Sequence, residues 1–244
     1  MQNYKLVLSY DGSRYKGWQR QGNIPGTIQE KVEETLSRIL EQPVEIAGAG
    51  RTDAGVHARM QVASFRAETA LSAEMILAEL RRYLPEDIGA ESLSPAPPRF
   101  HARLSCTGKT YVYRVWNSDA PCVFDRKYVY RVAEPLNTEA MRLAAEALTG
   151  EHDFAAFHTG RTKKSTLRRI DSIELRQNGD ELRFILTGNG FLYNMVRIIV
   201  GTLLEVGAGR LTPAAVPEIL ECKDRRNAGP TAPARGLCLW EVYY

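Results

Sequence analysis

Along this chain, some segments have apolar residues at every second position, as in a strand, and others have them at every third or fourth position, as in a helix. The two kinds of segment occur in an irregular order. The first half contains, in order, the strand YKLVLSY, the helix TIQEKVEETLSRIL, the strand MQVASFRAE and the helix LSAEMILAELRRYL. Thr27 and Ser72 are the expected N-caps of these helices, because each provides a hydroxyl just before an apolar periodic segment. The breaker-rich segment SPAPPRFHARLS predicts the end of this half near residue 105.

The second half continues with more strands than helices. Its predicted elements are, in order, the aromatic strands KTYVYRVWN and KYVYRV, the helix NTEAMRLAAEALTG, two strands joined at Asn178-Gly179-Asp180, the apolar helix FLYNMVRIIVGTLLEVGAG and the strand GLCLWEVYY. Asn137 is the expected N-cap of the first of these helices, and Gly150 is expected at its end. Strands and helices do not alternate strictly, which favours an α+β fold with antiparallel pairing over a doubly wound fold. We expect two α+β domains, residues 1–105 and 106–244, with a cleft at their seam.

Composition is that of an ordinary globular protein. Of the 244 residues, 44% are hydrophobic and 25% are charged, and no run of eighteen apolar residues is present. The start MQNYKLVLSY lacks the segments of a signal peptide, so we expect a soluble, cytoplasmic protein. The four cysteines lie far apart without a C-x-x-C pair, so neither a zinc site nor a disulfide framework is indicated.

Positive charge is concentrated in two segments, although the net charge is only +3. SRYKGWQRQG interleaves Arg14, Lys16 and Arg20 with two aromatic residues, and RTKKSTLRR contains five basic residues without an acid. Such clusters neutralise phosphates, and aromatic rings among them stack on bases. A solvated surface is the alternative interpretation, and charge alone does not choose between the two.

The segment GAGRTDAGVHA (residues 48–58) encloses an arginine, an aspartate and a histidine between glycines. Glycine lets the backbone approach a ligand and expose Arg51 and Asp53. A phosphate-binding loop is disfavoured because the spacing fits neither a Walker nor a dinucleotide motif. A metal site at Asp53 and His57 lacks a nearby third ligand. A structural turn, in which Asp53 caps a helix and pairs with Arg51, is the interpretation that spacing alone favours.

Family resemblance changes this balance. GAGRTDAGVHARMQVASF resembles the signature segment of TruA-type tRNA pseudouridine synthases. Four further segments are similar to motifs of that family and occur in the same order: SYDGSRYKGWQRQ, GKTYVYRVWN, GEHDFAAFHT and GFLYNMVRIIVGTL. Together these matches extend over nearly all of the chain.

The resemblance implies a cofactor-free isomerase that needs no metal. Its substrate would be tRNA, in which it converts uridine to pseudouridine at positions 38 to 40 of the anticodon stem-loop. The family fold consists of two α+β halves around a central, mainly antiparallel sheet, with the active site between them, and the family works as a homodimer. A non-catalytic RNA-binding module and a metal-dependent hydrolase are the two other classes that the residues leave open.

The resemblance also implies roles for individual residues. By motif, Asp53 is the nucleophile, Tyr111 lies against the target base, Arg197 pairs with Asp53, and Arg51 helps to flip the base. Arg197 lies in an apolar helix, where a guanidinium without a partner is costly, so we expect a carboxylate beside it. The candidate RNA contacts are Arg51, Tyr111, Arg14, Lys16, Gln19, Arg20, Lys163, Lys164, Arg168 and Arg169.

Overall fold

The structure, a computed structural model, describes residues 1–22, 25–160 and 165–244. Two units are distinguished by their internal contacts: Met1–Thr107 together with Cys238–Tyr244, and Gly108–Leu237. The sequence places a boundary near residue 105, whereas the last seven residues return to the first unit. They do so because the C-terminal strand pairs with a strand of that unit, Cys238 opposite His57 and Leu239 opposite Ala58.

The described residues form ten strands, five α-helices and four short 3-10 helices. The strands are β1 (Gln2–Tyr10), β2 (Ala47–Gly48), β3 (His57–Ala67), β4 (Ile88–Ala96), β5 (Gly108–Asn117), β6 (Tyr130–Val132), β7 (Gly150–Asp153), β8 (Leu167–Asn178), β9 (Glu181–Gly188) and β10 (Leu237–Tyr243). The α-helices are α1 (Ile28–Leu40), α2 (Ala73–Tyr83), α3 (Thr138–Glu146), α4 (Met195–Gly207) and α5 (Ala215–Cys222). The 3-10 helices are Gly12–Arg14, Ala155–Phe157, Arg225–Asn227 and Ala234–Gly236.

In the first unit the strand order is β4-β1-β3-β10, and β2 pairs with β3. All these pairs are antiparallel except β10 with β3. Alternate residues of β1 are buried, as the sequence alternation predicts, and they include Leu6 and Leu8. Helices α1 and α2 bury their apolar faces, for example at Val32 and Leu80. The apolar residues that recur at strand spacing in β1 and at helix spacing in α1 and α2 therefore form part of the core of this unit.

In the second unit β5, β9, β8 and β7 are consecutive antiparallel neighbours, and β6 pairs in parallel with β5. The predicted hairpin is present: Asn178 pairs with Glu181, and Gly179 has a φ of 58° in the turn. Helix α4 lies beside α3, and eleven of its thirteen residues are buried. The α+β class with mainly antiparallel strands is confirmed.

Predicted N-caps are confirmed, while some elements differ from expectation. Thr27 forms a capping box with Glu30, and Ser72 and Asn137 accept backbone N–H groups at the starts of α2 and α3. The sequence interpretation missed β2, β4, β7 and α5. Strand β4 contains Pro95, which an edge strand tolerates, so the proline did not end the strand.

No helix in the part of the chain that the structure describes has both the length and the hydropathy needed to cross a membrane.

Candidate active site

The glycine-rich segment forms a loop between two strands of the first unit. Gly48 in β2 pairs with Ala63 in β3, and the loop ends where β3 begins at His57. Within the loop the Val56 N–H donates to the Asp53 carbonyl oxygen at 3.1 Å, and Gly55 has a φ of 79°. A tight turn therefore leads directly into a strand. The interpretation in which Asp53 caps a helix is wrong, because no helix follows it.

The loop packs against the segment that precedes α1. The Trp18 N–H donates to the Thr52 carbonyl oxygen at 3.0 Å. Gly17 has a φ of 90°, and a Cβ there would lie 2.7 Å from that same carbonyl oxygen. A Cβ on Gly48 would lie 2.5 Å from the Trp18 indole. Two segments that the sequence marks separately, SYDGSRYKGWQRQ and GAGRTDAGVHA, thus form one packed structure that only glycine permits at these points.

Buried polar groups fix the loop backbone around Arg51 and Asp53. Thr52 is buried, and its hydroxyl lies 2.8 Å from the Tyr10 hydroxyl. The Gln61 amide, fully buried in β3, donates to the Gly50 carbonyl oxygen at 2.9 Å. Burial raises the pKa of the Tyr10 phenol, so that this group is neutral at physiological pH. The residues on both sides of Arg51 are therefore held, while Arg51 itself is exposed and Asp53 is half-buried.

His57 is the first residue of β3 and is buried. Its Nδ1 accepts the Gly12 N–H at 3.1 Å and is 3.1 Å from Asp11 Oδ1. Within residues 1–22, 25–160 and 165–244, no three His, Cys, Asp or Glu side chains are grouped so that they could hold a metal ion.

Arg51 bonds to a glutamine of the preceding segment. Its Nε donates to Gln19 Oε1 at 3.0 Å. The structure thus brings together Arg51 and Gln19, two of the predicted RNA-contact residues that the sequence separates by 32 positions.

Other predicted contacts of the first unit are paired with acids. Arg14 forms a salt bridge with Asp87 at 2.6 Å, and Arg20 lies 3.3 Å from Glu33. Neither pair was predictable from local sequence patterns, because the acids lie on other elements. Lys16 is exposed.

Tyr111 lies on β5 of the second unit, opposite Leu186 of β9. Its ring contacts Phe191 edge-to-face, with ring centroids 5.2 Å apart and an interplanar angle of 85°. Tyr113 on the same strand is fully buried, and its hydroxyl donates to the Pro233 carbonyl oxygen at 2.7 Å. Burial raises the pKa of Tyr113. Tyr113 is therefore a core residue.

The Arg197 guanidinium is oriented by neutral acceptors of the second unit. Its Nε donates to the Ala232 carbonyl oxygen at 2.7 Å, and one terminal amino group donates to Asn194 Oδ1 at 2.8 Å. Asn194, at the N-cap of α4, has a φ of 61° and also donates to Thr159 Oγ1 at 2.7 Å. These bonds fix the direction of the guanidinium.

The basic residues of the second cluster differ in their surroundings. Arg168 is half-buried and donates to the carbonyl oxygens of Ser165 and Leu167. Burial lowers the pKa of its guanidinium. Arg169 is exposed and lies 2.8 Å from Asp171. The remaining predicted contacts, Lys163 and Lys164, lie outside the described residues.

Sequence reasoning missed several residues around these side chains. They are Phe191 beside Tyr111, Asn194 beside Arg197, and the buried polar pair Gln29 and Glu33 in α1. A signal for the last pair was present: two polar residues spaced i,i+4 lie next to the apolar positions Ile28 and Val32 on a helix face that should be buried.

Sequence similarity to known proteins identifies the family of this chain. A family model described as tRNA pseudouridine synthase matches residues 6–104 and 144–244. The chain belongs to the tRNA pseudouridine synthase family. Three relatives carry corresponding names. A tRNA pseudouridine synthase A 2 of Bacillus cereus (strain ZK / E33L) is 44% identical over 245 residues, which is 100% of both chains. A tRNA pseudouridine synthase A of Bacillus sp. (strain KSM-64) is 47% identical over 240 residues, 98% of each chain. The tRNA pseudouridine synthase A of Clostridium acetobutylicum is 44% identical over 245 residues, again 100% of both.

These matches confirm the resemblance to TruA-type tRNA pseudouridine synthases, a family of isomerases that act on tRNA uridine. Among solved structures, a Cbf5-Nop10-Gar1 complex is similar over 82% of this chain with a TM-score of 0.37 and 15% identity. The similar region spans 45% of that solved chain.

Proposed function

We propose that this tRNA pseudouridine synthase isomerises uridines at positions 38 to 40 of the tRNA anticodon stem-loop, with Asp53 as the nucleophile. The observation that carries the proposal is the position of Asp53. Asp53 lies on a turn next to two residues that are held by hydrogen bonds. Gln61 donates to the Gly50 carbonyl oxygen, and the Tyr10 hydroxyl bonds to the Thr52 hydroxyl. A nucleophile held on a rigid backbone loses little entropy when it meets the reacting atom.

The chemistry requires four changes at one nucleotide. The bond between ribose C1′ and uracil N1 breaks, the uracil turns, C5 joins C1′, and the proton on C5 leaves while N1 gains one. No electron is transferred and no atom is lost, so the reaction is balanced with the side chains of the protein alone. Ionised Asp53 would begin these steps, either by attacking the ribose or by removing a ribose proton.

Three side chains assist Asp53 in this proposal. Arg197, whose guanidinium is oriented by Asn194 and Ala232, keeps the carboxylate ionised by its positive charge. Tyr111, which is 7% exposed, would stack on the target base. Stacking is its first role, because every base has a face that stacks on an aromatic ring. Tyr111→Phe keeps the ring, and its turnover compared with wild type separates stacking from proton transfer.

Arg51 would open the stem. A uridine within a stem reaches a carboxylate only after leaving the stack, at a cost of a few kcal/mol. Arg51 is exposed, lies two residues before Asp53 and is fixed at Nε by Gln19. Its planar guanidinium is able to occupy the space that the flipped uracil leaves and to stack on the neighbouring bases.

The direct test of the isomerase is tritium release. tRNA transcribed with tritium at uridine C5 should release tritium into water when mixed with the protein, including in excess EDTA. An RNA-binding module would release none, and a metal-dependent hydrolase would be inactivated by the chelator. Absence of release at saturating protein would refute the proposed function.

The tRNA backbone would bind the basic residues Lys163, Lys164, Arg168 and Arg169. Replacing all four by alanine should raise KM. If each residue contacts one phosphate, it should also reduce the slope of the logarithm of the tRNA binding constant against the logarithm of salt concentration by about 3. Titrations at several salt concentrations measure this slope. Arg176→Ala is the control, since Arg176 is an exposed arginine on β8 that is not among the predicted RNA contacts. An unchanged slope in the fourfold variant would exclude these residues as phosphate contacts.

We further propose that the protein acts as a homodimer in the cytoplasm, where its tRNA substrate is present. The mass in solution by light scattering at micromolar concentration tests the dimer, and the mass of one chain would contradict it.

A further inference from the structure

A chain of hydrogen bonds leads from the buried face of α1 to Arg51. Arg51 Nε donates to Gln19 Oε1 at 3.0 Å, and Gln19 Nε2 donates to Gln29 Oε1 at 2.6 Å. Gln29 Nε2 in turn donates to Glu33 Oε1 at 2.8 Å. Gln29 and Glu33 are 9% and 4% exposed. An exposed arginine beside the proposed nucleophile is thus connected to two buried polar side chains, whose desolvation demands good partners.

The amide of Gln29 has one possible orientation. Its two N–H groups donate to Glu33 Oε1 and to the Ile46 carbonyl oxygen at 3.0 Å. Its oxygen accepts from Gln19 Nε2 and from the Arg20 backbone N–H at 2.9 Å. All four hydrogen-bonding positions are therefore used. Rotating the amide by 180° would place its oxygen against two acceptors and its NH2 against a backbone donor, and each unmade buried bond costs about 1–3 kcal/mol.

Glu33 sets the direction of the whole chain of bonds. Its carboxylate accepts the Ile46 N–H at 3.0 Å on the oxygen that also faces Gln29, and Arg20 lies 3.3 Å from the other oxygen. An ionised carboxylate only accepts hydrogen bonds, so it requires the NH2 of Gln29. This fixes the oxygen of Gln29 toward Gln19. The NH2 of Gln19 then faces Gln29, and its oxygen faces Arg51.

We propose that Gln29 is a positioning residue for Arg51: through Gln19, it holds the guanidinium by Nε and directs the two terminal amino groups away from the protein. This inference rests on the proposed function, in which Arg51 enters the stack. A guanidinium that is already oriented loses less entropy when it inserts. Gln29 touches neither substrate nor reacting atoms, so its effect passes entirely through Gln19 and Arg51.

The first experiment compares two substrates. One is an anticodon stem-loop whose target uridine is paired, and the other has a partner base that leaves the uridine unpaired. Gln29→Met should lower the single-turnover rate about tenfold on the paired substrate and much less on the unpaired one. Gln42→Met is the control, because Gln42 bonds to the Glu68 backbone elsewhere in this unit. Equal losses on both substrates would show a merely structural role and overturn the inference.

Two double variants show whether Gln29 acts through the proposed residues. In an Arg51→Ala background, Gln29→Met should cause no further loss on the paired substrate, whereas an additional tenfold loss would overturn the inference. Gln19→Glu should restore most of the rate in the Gln29→Met background. Either oxygen of a carboxylate accepts from Arg51, so it needs no partner to orient it. A structural defect would not respond to this rescue, and failure of the rescue in a folded variant contradicts the proposal.

A measurement without substrate separates this inference from the proposed function. The ¹⁵Nε–H signal of Arg51, assigned from its absence in Arg51→Ala, should be protected from exchange in the wild-type protein. Gln19→Met and Gln29→Met should lose the protection, and Gln42→Met should keep it. Protection that survives Gln29→Met refutes the positioning role even if tritium is released. A third outcome combines protection that is lost in Gln29→Met with no tritium release by the wild-type protein. The first result would support the orientation of Arg51 by Gln29, and the second would refute the proposed isomerase.

Discussion

Replacing Asp53 by asparagine should abolish pseudouridine formation while leaving tRNA binding unchanged. The amide keeps the shape of the carboxylate, so the turn that ends with the Val56 bond to the Asp53 backbone is retained. A neutral amide is a far weaker nucleophile and base, and losing a nucleophile costs at least about 10⁴-fold in rate. Single-turnover tritium release measures the rate, and filter binding measures the affinity for tRNA.

A second aspartate provides the control for this change. Asp180 lies in the hairpin turn between β8 and β9 and is exposed, so Asp180→Asn should have wild-type activity. Substantial tritium release by Asp53→Asn would contradict the mechanism, even if the wild-type protein forms pseudouridine. Parallel loss of binding and rate would instead indicate that Asp53 holds the loop.

Arg197→Met should lower the rate by at least about 10²-fold, the second largest effect that we expect. Methionine removes the positive charge that would keep Asp53 ionised, and it leaves Asn194 Oδ1 and the Ala232 carbonyl oxygen without their donor. Arg197→Lys retains the charge but not the planar fork, so its rate should lie between the two. The rates are measured by single-turnover tritium release and the stability by thermal unfolding.

Arg225→Met separates loss of the Arg197 charge from the general effect of removing a half-buried arginine. Arg225 also lies in the second unit and donates to neutral oxygens of Ala228 and Thr231, and burial lowers its pKa. Its replacement should lower the unfolding temperature about as much as Arg197→Met does while leaving turnover near the wild-type rate. If the two variants lose equal activity at equal stability, Arg197 has no catalytic role.

Much of the fold was predictable because local patterns and tertiary packing agree. The alternation in β1 matches its buried side chains, and the caps at Thr27, Ser72 and Asn137 form as their sequence positions indicate. Strand β4 was missed because Pro95 indicates a break, and only the sheet order shows that the strand lies at an edge. Helix α4 begins at Met195, four residues after the start of the apolar segment, because Asn194 adopts a left-handed conformation there.

The loop that contains Arg51 and Asp53 was predictable, whereas the contacts around it were not. The loop with Arg51 and Asp53 follows from its glycines and from family resemblance. The salt bridge of Arg14 with Asp87 joins residues 73 positions apart, and no local pattern indicates such a pair. The same is true of the contact between Gln19 and Arg51, which depends on how the segment before α1 packs against the loop. Polar networks of this kind are determined by three-dimensional packing, which sequence periodicity does not encode.

Mapping pseudouridine nucleotide by nucleotide in tRNA tests the central claim most directly. Unmodified tRNA carrying uridine at positions 38, 39 and 40 is incubated with the wild-type protein or with Asp53→Asn, and pseudouridine is then located by chemical labelling and reverse transcription. The account predicts pseudouridine at these positions with the wild-type protein and none with Asp53→Asn. Pseudouridine only outside the anticodon stem-loop, or equal modification by Asp53→Asn, would contradict it.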